Sequence, residues 1–169
     1  MLLMLLAVAM TAKGQVAVDR WGDDGTRVVR SAQEVMYDDF FHTARFAVIA
    51  TADANGLVNF AMEVTFDEGL LDVSRGDTLA LTLRGGERVI LTTDRDLTRA
   101  DIVKRHYRTY NDYYVTCHYP LTAHDIFRLS NVKATKMTVQ TDALKFDRKL
   151  DRFNERFSRQ FAAVYHYLM

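Results

Sequence analysis

The chain contains very little cysteine or proline: Cys117 and Pro120 are the only residues of either type among 169. A single cysteine excludes an intrachain disulfide and any metal site built mainly from cysteine. The 22 Lys and Arg residues balance the 22 Asp and Glu residues, so the formal net charge is zero. A chain without excess positive charge has no overall attraction for nucleic acid. We therefore expect no nucleic-acid partner.

Long hydrophobic runs are also scarce, and the clearest one lies at the start of the sequence. Residues 1–10 are uninterrupted apolar residues, a run too short to cross a bilayer but typical of a signal-peptide core. Small residues follow it, including Ala12 and Gly14. We predict that residues 1–14 are a signal peptide and that residues 15–169 form one exported domain, periplasmic or extracellular. The mature domain is expected to have no transmembrane span.

Two stretches in the first half of the chain predict strands. The segment 44–52 is apolar on both faces, which is typical of a central strand. The segment 58–66 alternates between apolar and polar residues, which is typical of a strand with one exposed face. The apolar face of that second strand holds Val58, Phe60, Met62, Val64 and Phe66.

Further strands are predicted in the middle of the chain. Alternating leucines over 78–83 are followed by Gly85 and Gly86, which predicts a hairpin with a two-residue loop. Residues 93–112 are polar and charged, so they predict a long loop with a helical turn near 97–104. Another strand is expected over 134–141.

Two helices complete the predicted fold. Thr122 and Asp125 stand at capping-box spacing, which predicts a short helix near 122–130. Residues 149–169 predict an amphipathic helix, with Asp147 and Asp151 favouring the positive end of its dipole. We expect an α+β fold of mainly antiparallel sheet, in one or two layers, with the last helix packed on it. The apolar stripe of that helix is Leu150, Phe153, Phe157, Phe161, Val164 and Leu168.

The stretch "YYVTCHYPLTAHDIFRLS" resembles a catalytic or metal site but does not predict one. Cys117 and His118 are neighbours on a predicted strand that ends at Pro120, so their side chains point to opposite faces and cannot pair. Cys117 is expected to be a small buried hydrophobe. His118 and His124 lack the spacing of zinc ligands. We predict no catalytic residue, no metal and no cofactor.

The segment "VKRHYRTYNDYYV" (103–115) predicts a ligand surface. Its cations alternate with tyrosines, and basic and aromatic side chains together can stack on sugars. The predicted ligand-binding residues are Arg105, His106, Tyr107, Tyr110, Tyr114 and His118.

Several motifs in chain order carry a resemblance to a known type of protein. They are "DGTRVV", "SRGDTLALTL" before the Gly-Gly hairpin, "YYVTCHYPLTAHDIFRL" and "ATKMTVQT". In these motifs the chain resembles small uncharacterised exported proteins of gut-dwelling Bacteroidota. The resemblance implies an extracytoplasmic location and carries over neither an activity nor a catalytic residue.

The sequence leaves two functional hypotheses open. The first is a non-enzymatic exported binding or envelope-associated module, whose partner would be a glycan or an envelope protein. The second is a small extracytoplasmic hydrolase that uses residues 93–125. An enzyme should present a concave pocket with converging titratable groups, whereas a binding module needs only a ligand surface.

Overall fold

The computed structural model describes five ranges of the chain, and the predicted signal peptide lies outside them. The side chains of His106, Asn111, Asn154 and Glu155 are also outside what the structure describes. The described ranges are 16–38, 42–67, 72–106, 111–150 and 154–168.

A large antiparallel sheet contains seven of the strands formed by these residues. Its strand order is β1-β2-β4-β5-β9-β8, and β3 pairs with β4 beside β2. All of its pairings are antiparallel. The strands are β1 (Val16–Trp21), β2 (Arg27–Ser31), β3 (Glu34–Asp38), β4 (Thr43–Ala52), β5 (Val58–Phe66), β8 (Ile102–His106) and β9 (Asn111–Leu121).

A smaller sheet and two α-helices make up most of the remaining described structure. The smaller sheet has the order β11-β10-β6-β7 and is also antiparallel. Its strands are β6 (Thr78–Leu83), β7 (Arg88–Thr92), β10 (Ala134–Gln140) and β11 (Lys145–Lys149), and the helices are α1 (Ala123–Asn131) and α2 (Asn154–Leu168). None of the helices within the described ranges is both long enough and apolar enough to span a membrane.

Both sheets and both helices contribute to one continuous hydrophobic core. The face of the large sheet that contributes to it, here called the inner face, carries Phe46, Met62 and Tyr119, all fully buried. The small sheet contributes Leu81 and Met137. The predicted α+β architecture, with mainly antiparallel strands and a C-terminal helix on the sheet, is confirmed.

Strand alternation separates the inner face from the opposite, outer face of the large sheet. In β5 the apolar residues predicted to share one face include Met62 and Val64, and both are buried. Glu63 and Thr65 alternate with them along the strand and are only partly buried on the outer face. Because side-chain direction has a period of two, the sequence of β5 fixes which face meets the core.

The C-terminal helix differs from its prediction at its start. Helix α2 begins at Asn154, and the preceding residues Lys145–Lys149 form β11, which the helical pattern did not predict. Asp147 is therefore not a helix-dipole partner: it lies on β11 and forms an ion pair with Lys136 of β10 at 2.7 Å. Leu150 donates its N–H to Thr135 at 2.9 Å, which extends the strand pairing.

The segment 93–112 and the end of β9 also differ from their predictions. The expected long loop contains a 3₁₀ turn at Arg99–Asp101 and then strand β8. Strand β9 does not end at Pro120 but continues to Leu121. Proline is tolerated there because β8 pairs with β9 only as far as Val115, so Pro120 has a strand neighbour on one side alone.

The predicted glycine hairpin is present, but its loop has three residues, 84–86, which lie between the hydrogen-bonded residues Leu83 and Glu87. Gly85 and Gly86 both have positive φ, 107° and 89°. Gly86 donates its N–H to Leu83 at 3.0 Å, and Leu83 donates to Glu87 at 2.7 Å. The two glycines therefore supply the left-handed backbone that closes the turn.

Candidate functional site

The outer face of the large sheet carries a groove of about 340 Å³, here called the outer groove. This volume is at the lower end of the range of ligand pockets. Val103 and Tyr114 line one side of it. Its polar lining consists of Gln33, Thr43, Arg45, Thr65, Asp67 and Arg105.

Strand register brings these side chains together from distant parts of the sequence. Arg45 of β4 pairs with Thr65 of β5, and Thr65 pairs with Thr116 of β9. In the adjoining part of the sheet, Val103 of β8 pairs with Tyr114 of β9. Residues directly opposite each other on one face are close enough to interact, so the groove is built on four hydrogen-bonded strands.

A short hydrogen-bonded chain orders the floor of the outer groove. The hydroxyl oxygens of Thr65 and Thr116 lie 3.0 Å apart. The amide nitrogen of Gln33 donates to the Thr65 hydroxyl at 3.4 Å. Hydroxyls and an amide held in this way can both donate to and accept from a polar ligand.

A carboxylate stands at the end of the groove. Asp67 accepts the backbone N–H of Thr43 at 2.8 Å, and its Oδ1 lies 3.6 Å from Nδ1 of His42. The Asp67 side chain is 14% exposed, so it is held against the sheet rather than extended into solvent. It gives the groove an acceptor opposite its cationic donors.

Two guanidinium groups supply those donors. The Arg105 guanidinium lies 4.5 Å from the ring centroid of Tyr114, within the range of a cation–π contact. Arg45 and Arg105 are both exposed, and neither forms an ion pair with another described residue. Their N–H groups therefore remain available to a ligand.

The predicted ligand residues are only partly brought together. Arg105 and Tyr114 both line the outer groove. His118 is on the same face of β9, two positions beyond Thr116, but it does not line the groove. The side chain of His106 and the whole of Tyr107 and Tyr110 lie outside the described residues.

His118 lies instead beside two carboxylates. It is directly opposite Glu63 on β5, and its Nδ1 is 3.5 Å from Oδ1 of Asp94. That nitrogen is buried and has no hydrogen-bond partner among the described residues. Glu63 is itself paired with Arg30 at 3.0 Å. This cluster is a second polar feature of the outer face.

Cys117 occupies the face that its position in the strand predicts. It is 1% exposed within the core, on the side of the sheet opposite His118. Burial raises the pKa of the thiol to about 12, above its ordinary value of 9.0. The thiolate needed for nucleophilic attack is therefore strongly disfavoured in the folded protein.

Helix α1 accounts for the other polar residues of the opening motif. The Thr122 hydroxyl accepts the N–H of Asp125 at 3.1 Å, and the Asp125 carboxylate accepts the Thr122 N–H at 3.1 Å. This is the predicted capping box. His124 is exposed on the first turn of the helix.

The sequence did not identify most of the polar lining of the outer groove. Thr65 and Asp67 were recognisable only as the polar face of β5, and Arg45 is one cation in an otherwise apolar segment. Gln33 lies just before β3, in a segment for which the sequence predicted no element. Their proximity depends on the pairing of strands, which a local pattern does not reveal.

The part of the chain that the structure describes holds no group of three or more His, Cys, Asp or Glu residues suited to a metal ion. No protein-family model, curated protein or solved structure matches this chain.

Proposed function

We propose that this protein is an exported, non-enzymatic binding module and that the outer groove is its ligand site. The observation that supports this proposal is the convergence of two available guanidinium groups, an ordered hydroxyl chain and a tyrosine ring in one groove. The ligand class is a glycan, because sugars present many hydroxyls that both donate and accept hydrogen bonds. The groove offers donors from Arg45 and Arg105 and an acceptor from Asp67.

The position of the groove on paired strands also favours binding. Side chains on hydrogen-bonded strands are held more rigidly than those on loops, which reduces the entropy lost when a ligand binds. The mixture of charges suits a neutral polar ligand better than a strong anion, since Asp67 and Asp112 lie among the cations.

A glycan array probed with the mature protein tests this proposal. Hits should be measured by isothermal titration calorimetry with wild-type protein and with the variants Arg45→Ala and Tyr114→Ala. Both variants are expected to weaken binding by about tenfold or more, which corresponds to about 1.4 kcal/mol.

Matched controls separate the groove from general effects on folding. Tyr113→Ala changes the neighbouring tyrosine, which lies on the other face of β9 beneath Lys104. Arg20→Ala removes an exposed arginine of β1, far from the groove in the strand order. Both controls should bind like the wild type. Equal loss in Tyr113→Ala and Tyr114→Ala, or no binding to any glycan, would contradict the proposal.

The alternative is a small extracytoplasmic hydrolase that uses the region 93–125. It is favoured by one contact, the 3.5 Å approach of His118 Nδ1 to Asp94 Oδ1. A histidine beside a carboxylate is a common general base. If the protein hydrolyses a glycoside or ester substrate, His118→Gln should abolish turnover while Arg45→Ala leaves the chemical step intact. Turnover that survives His118→Gln would reject this assignment.

Export is part of the proposal and has its own test. It is supported by the apolar run at residues 1–10 and the small residues that follow it. N-terminal sequencing of the protein from its native cells is expected to begin at Gln15 or at a neighbouring residue. A mature protein that begins at Met1 would rule out signal processing.

A further inference from the structure

A second groove, here called the Trp21 groove, lies at the end of the inner face of the large sheet. Four residues stand side by side in register across β1, β2, β4 and β5: Trp21, Arg27, Ala52 and Val58. Leu168 at the end of α2 lines the same space, which has a volume of about 490 Å³. This volume falls within the range of ligand pockets. The outer groove is on the opposite face of the sheet.

The indole of Trp21 is exposed but firmly supported. It is 69% exposed, and the Arg27 guanidinium lies 5.5 Å from its ring centroid. Arg27 also forms two hydrogen bonds with Asp19, both at 2.9 Å, and lies 5.2 Å from the ring of Tyr167. The Tyr167 hydroxyl donates to Asp19 at 2.8 Å. One face of the indole is therefore fixed against a cation, while most of the side chain stays open to solvent.

This support network is ionised throughout the physiological range. Hydrogen bonds from Arg27 and Tyr167 lower the pKa of Asp19 to about 2. Holding the four side chains of this network in one arrangement costs conformational entropy. The hydrophobic burial of Trp21 contributes little stability against that cost, because the indole remains mostly exposed. The positioning of the ring is instead useful to a ligand, which meets an aromatic surface already held in place.

The remaining walls of the Trp21 groove are apolar, with one acceptor at the rim. Ala52, Ala54 and Val58 present only methyl groups, and Gly56 leaves open space where a side chain would stand. Asp53 accepts the N–H groups of two turn residues through Oδ1. The Oδ2 atom of Asp53 accepts no hydrogen bond from a described residue, so it is available to a ligand. Arg27 is already paired with Asp19.

We propose that the Trp21 groove binds a pyranose ring of a glycan, stacked on the Trp21 indole. A pyranose has C–H groups on its faces and hydroxyls around its edge, so it matches an aromatic surface, methyl walls and an acceptor at the rim. The paired Arg27 offers no free cation, so the groove suits a neutral sugar rather than an acidic one. The site does not depend on the outer groove, and each can fail without the other.

Trp21 is the only tryptophan in the chain, so its fluorescence reports on this groove alone. The full mature protein should be titrated with cello-, xylo-, chito- and malto-oligosaccharides while Trp emission and acrylamide quenching are followed. At least one neutral series is expected to shift the emission saturably and to protect the indole from acrylamide. Ile90→Ala, which changes an exposed residue of β7 in the smaller sheet and lines neither groove, should leave this response unchanged.

Variants then test whether the indole carries the affinity. Trp21→Ala is expected to weaken calorimetric binding by about tenfold or more, and Trp21→Phe by less. Leu57→Ala removes an apolar side chain of similar exposure, 62%, that does not line the groove, and this variant should bind like the wild type. If Trp21→Ala does not fold, acrylamide protection in the wild type decides the question. No saturable response to any sugar, affinity unchanged in Trp21→Ala, or a response only to alkyl detergent would overturn the proposal.

Discussion

The rings of Phe157 and Phe46 lie 4.7 Å apart, centroid to centroid, and join the C-terminal helix to the central strand of the large sheet. Phe161 stacks on Phe46 at 6.0 Å and lies tilted against Phe157 at 4.9 Å. All three side chains are fully buried. This aromatic cluster closes the inner face where β4 would otherwise meet solvent.

Truncation of Phe157 should therefore be costly. Phe157→Ala is expected to lower the free energy of unfolding by about 3–5 kcal/mol, because it removes a large buried ring and leaves a cavity. Urea denaturation measures this value. The control is Arg156→Ala on the exposed side of the same helix, which should change stability by no more than about 0.5 kcal/mol. Similar values for the two variants would show that α2 does not cover the core.

Removal of the whole helix should prevent folding. A chain that ends at Leu150 lacks α2, which buries Phe157, Phe161 and Val164 against the sheets. The inner face would then lack its apolar cover. Because the free energy of unfolding of a typical domain is only about 5–15 kcal/mol, we expect the loss of this buried apolar surface to leave the chain unfolded. Circular dichroism and a thermal melt of the shortened chain provide the measurement. A cooperative melt near the wild-type temperature would instead identify α2 as a detachable element.

The buried thiol predicts a specific dependence on pH. In the folded protein the pKa of Cys117 is raised to about 12, so its contribution to stability is complete below pH 9 and is lost as the pH rises towards 12. The stability difference between wild type and Cys117→Ala should therefore shift in favour of the variant between pH 8 and pH 10.5. Chemical denaturation at the two pH values tests this.

Thiol labelling provides an independent check on the same residue. A reagent such as DTNB at pH 8 should react slowly with the folded wild type and rapidly in urea, since Cys117 is 1% exposed. Rapid reaction of the folded protein would mean that the side chain is accessible.

Loss of the helix cap gives a smaller and more local effect. Thr122→Ala removes the hydroxyl that accepts the Asp125 N–H, so stability should fall by about 1 kcal/mol. His124→Ala changes an exposed residue of the same turn and should have little effect on the melting temperature. Equal losses from the two variants would indicate that general helix propensity, rather than capping, determines the result.

Local patterns in the sequence predicted the elements whose structure is decided locally. The alternation of β5, the glycines of the β6–β7 hairpin and the capping box of α1 each depend on residues within a few positions of one another. The position of Cys117 on the inner face followed from the same alternation. These features could be read from one segment at a time.

The elements that were missed depend on partners far away in the sequence. The helical pattern was predicted to begin at Lys149 with Asp147 near its start, and no strand was predicted for Lys145–Lys149, because only the pairing with β10 makes that segment a strand. Strand β8 is charged, and its pairing with β9 decides its conformation. The outer groove likewise exists because register places Arg45 beside Thr65, to which Gln33 donates a hydrogen bond.

The hydrogen bond from the Tyr167 hydroxyl to Asp19 joins residues that are 148 positions apart in the sequence. Such a contact can form only after both ends of the domain have been synthesised. Of the elements that the structure describes, helix α2 is the last to be synthesised, yet it covers strands from the first third of the chain. Until it is made, the inner face of β4 has no permanent apolar cover. Proteins dominated by such non-local contacts fold in milliseconds to seconds rather than microseconds. We therefore expect the domain to close only after α2 has been synthesised, so that its folding follows the synthesis of its strands.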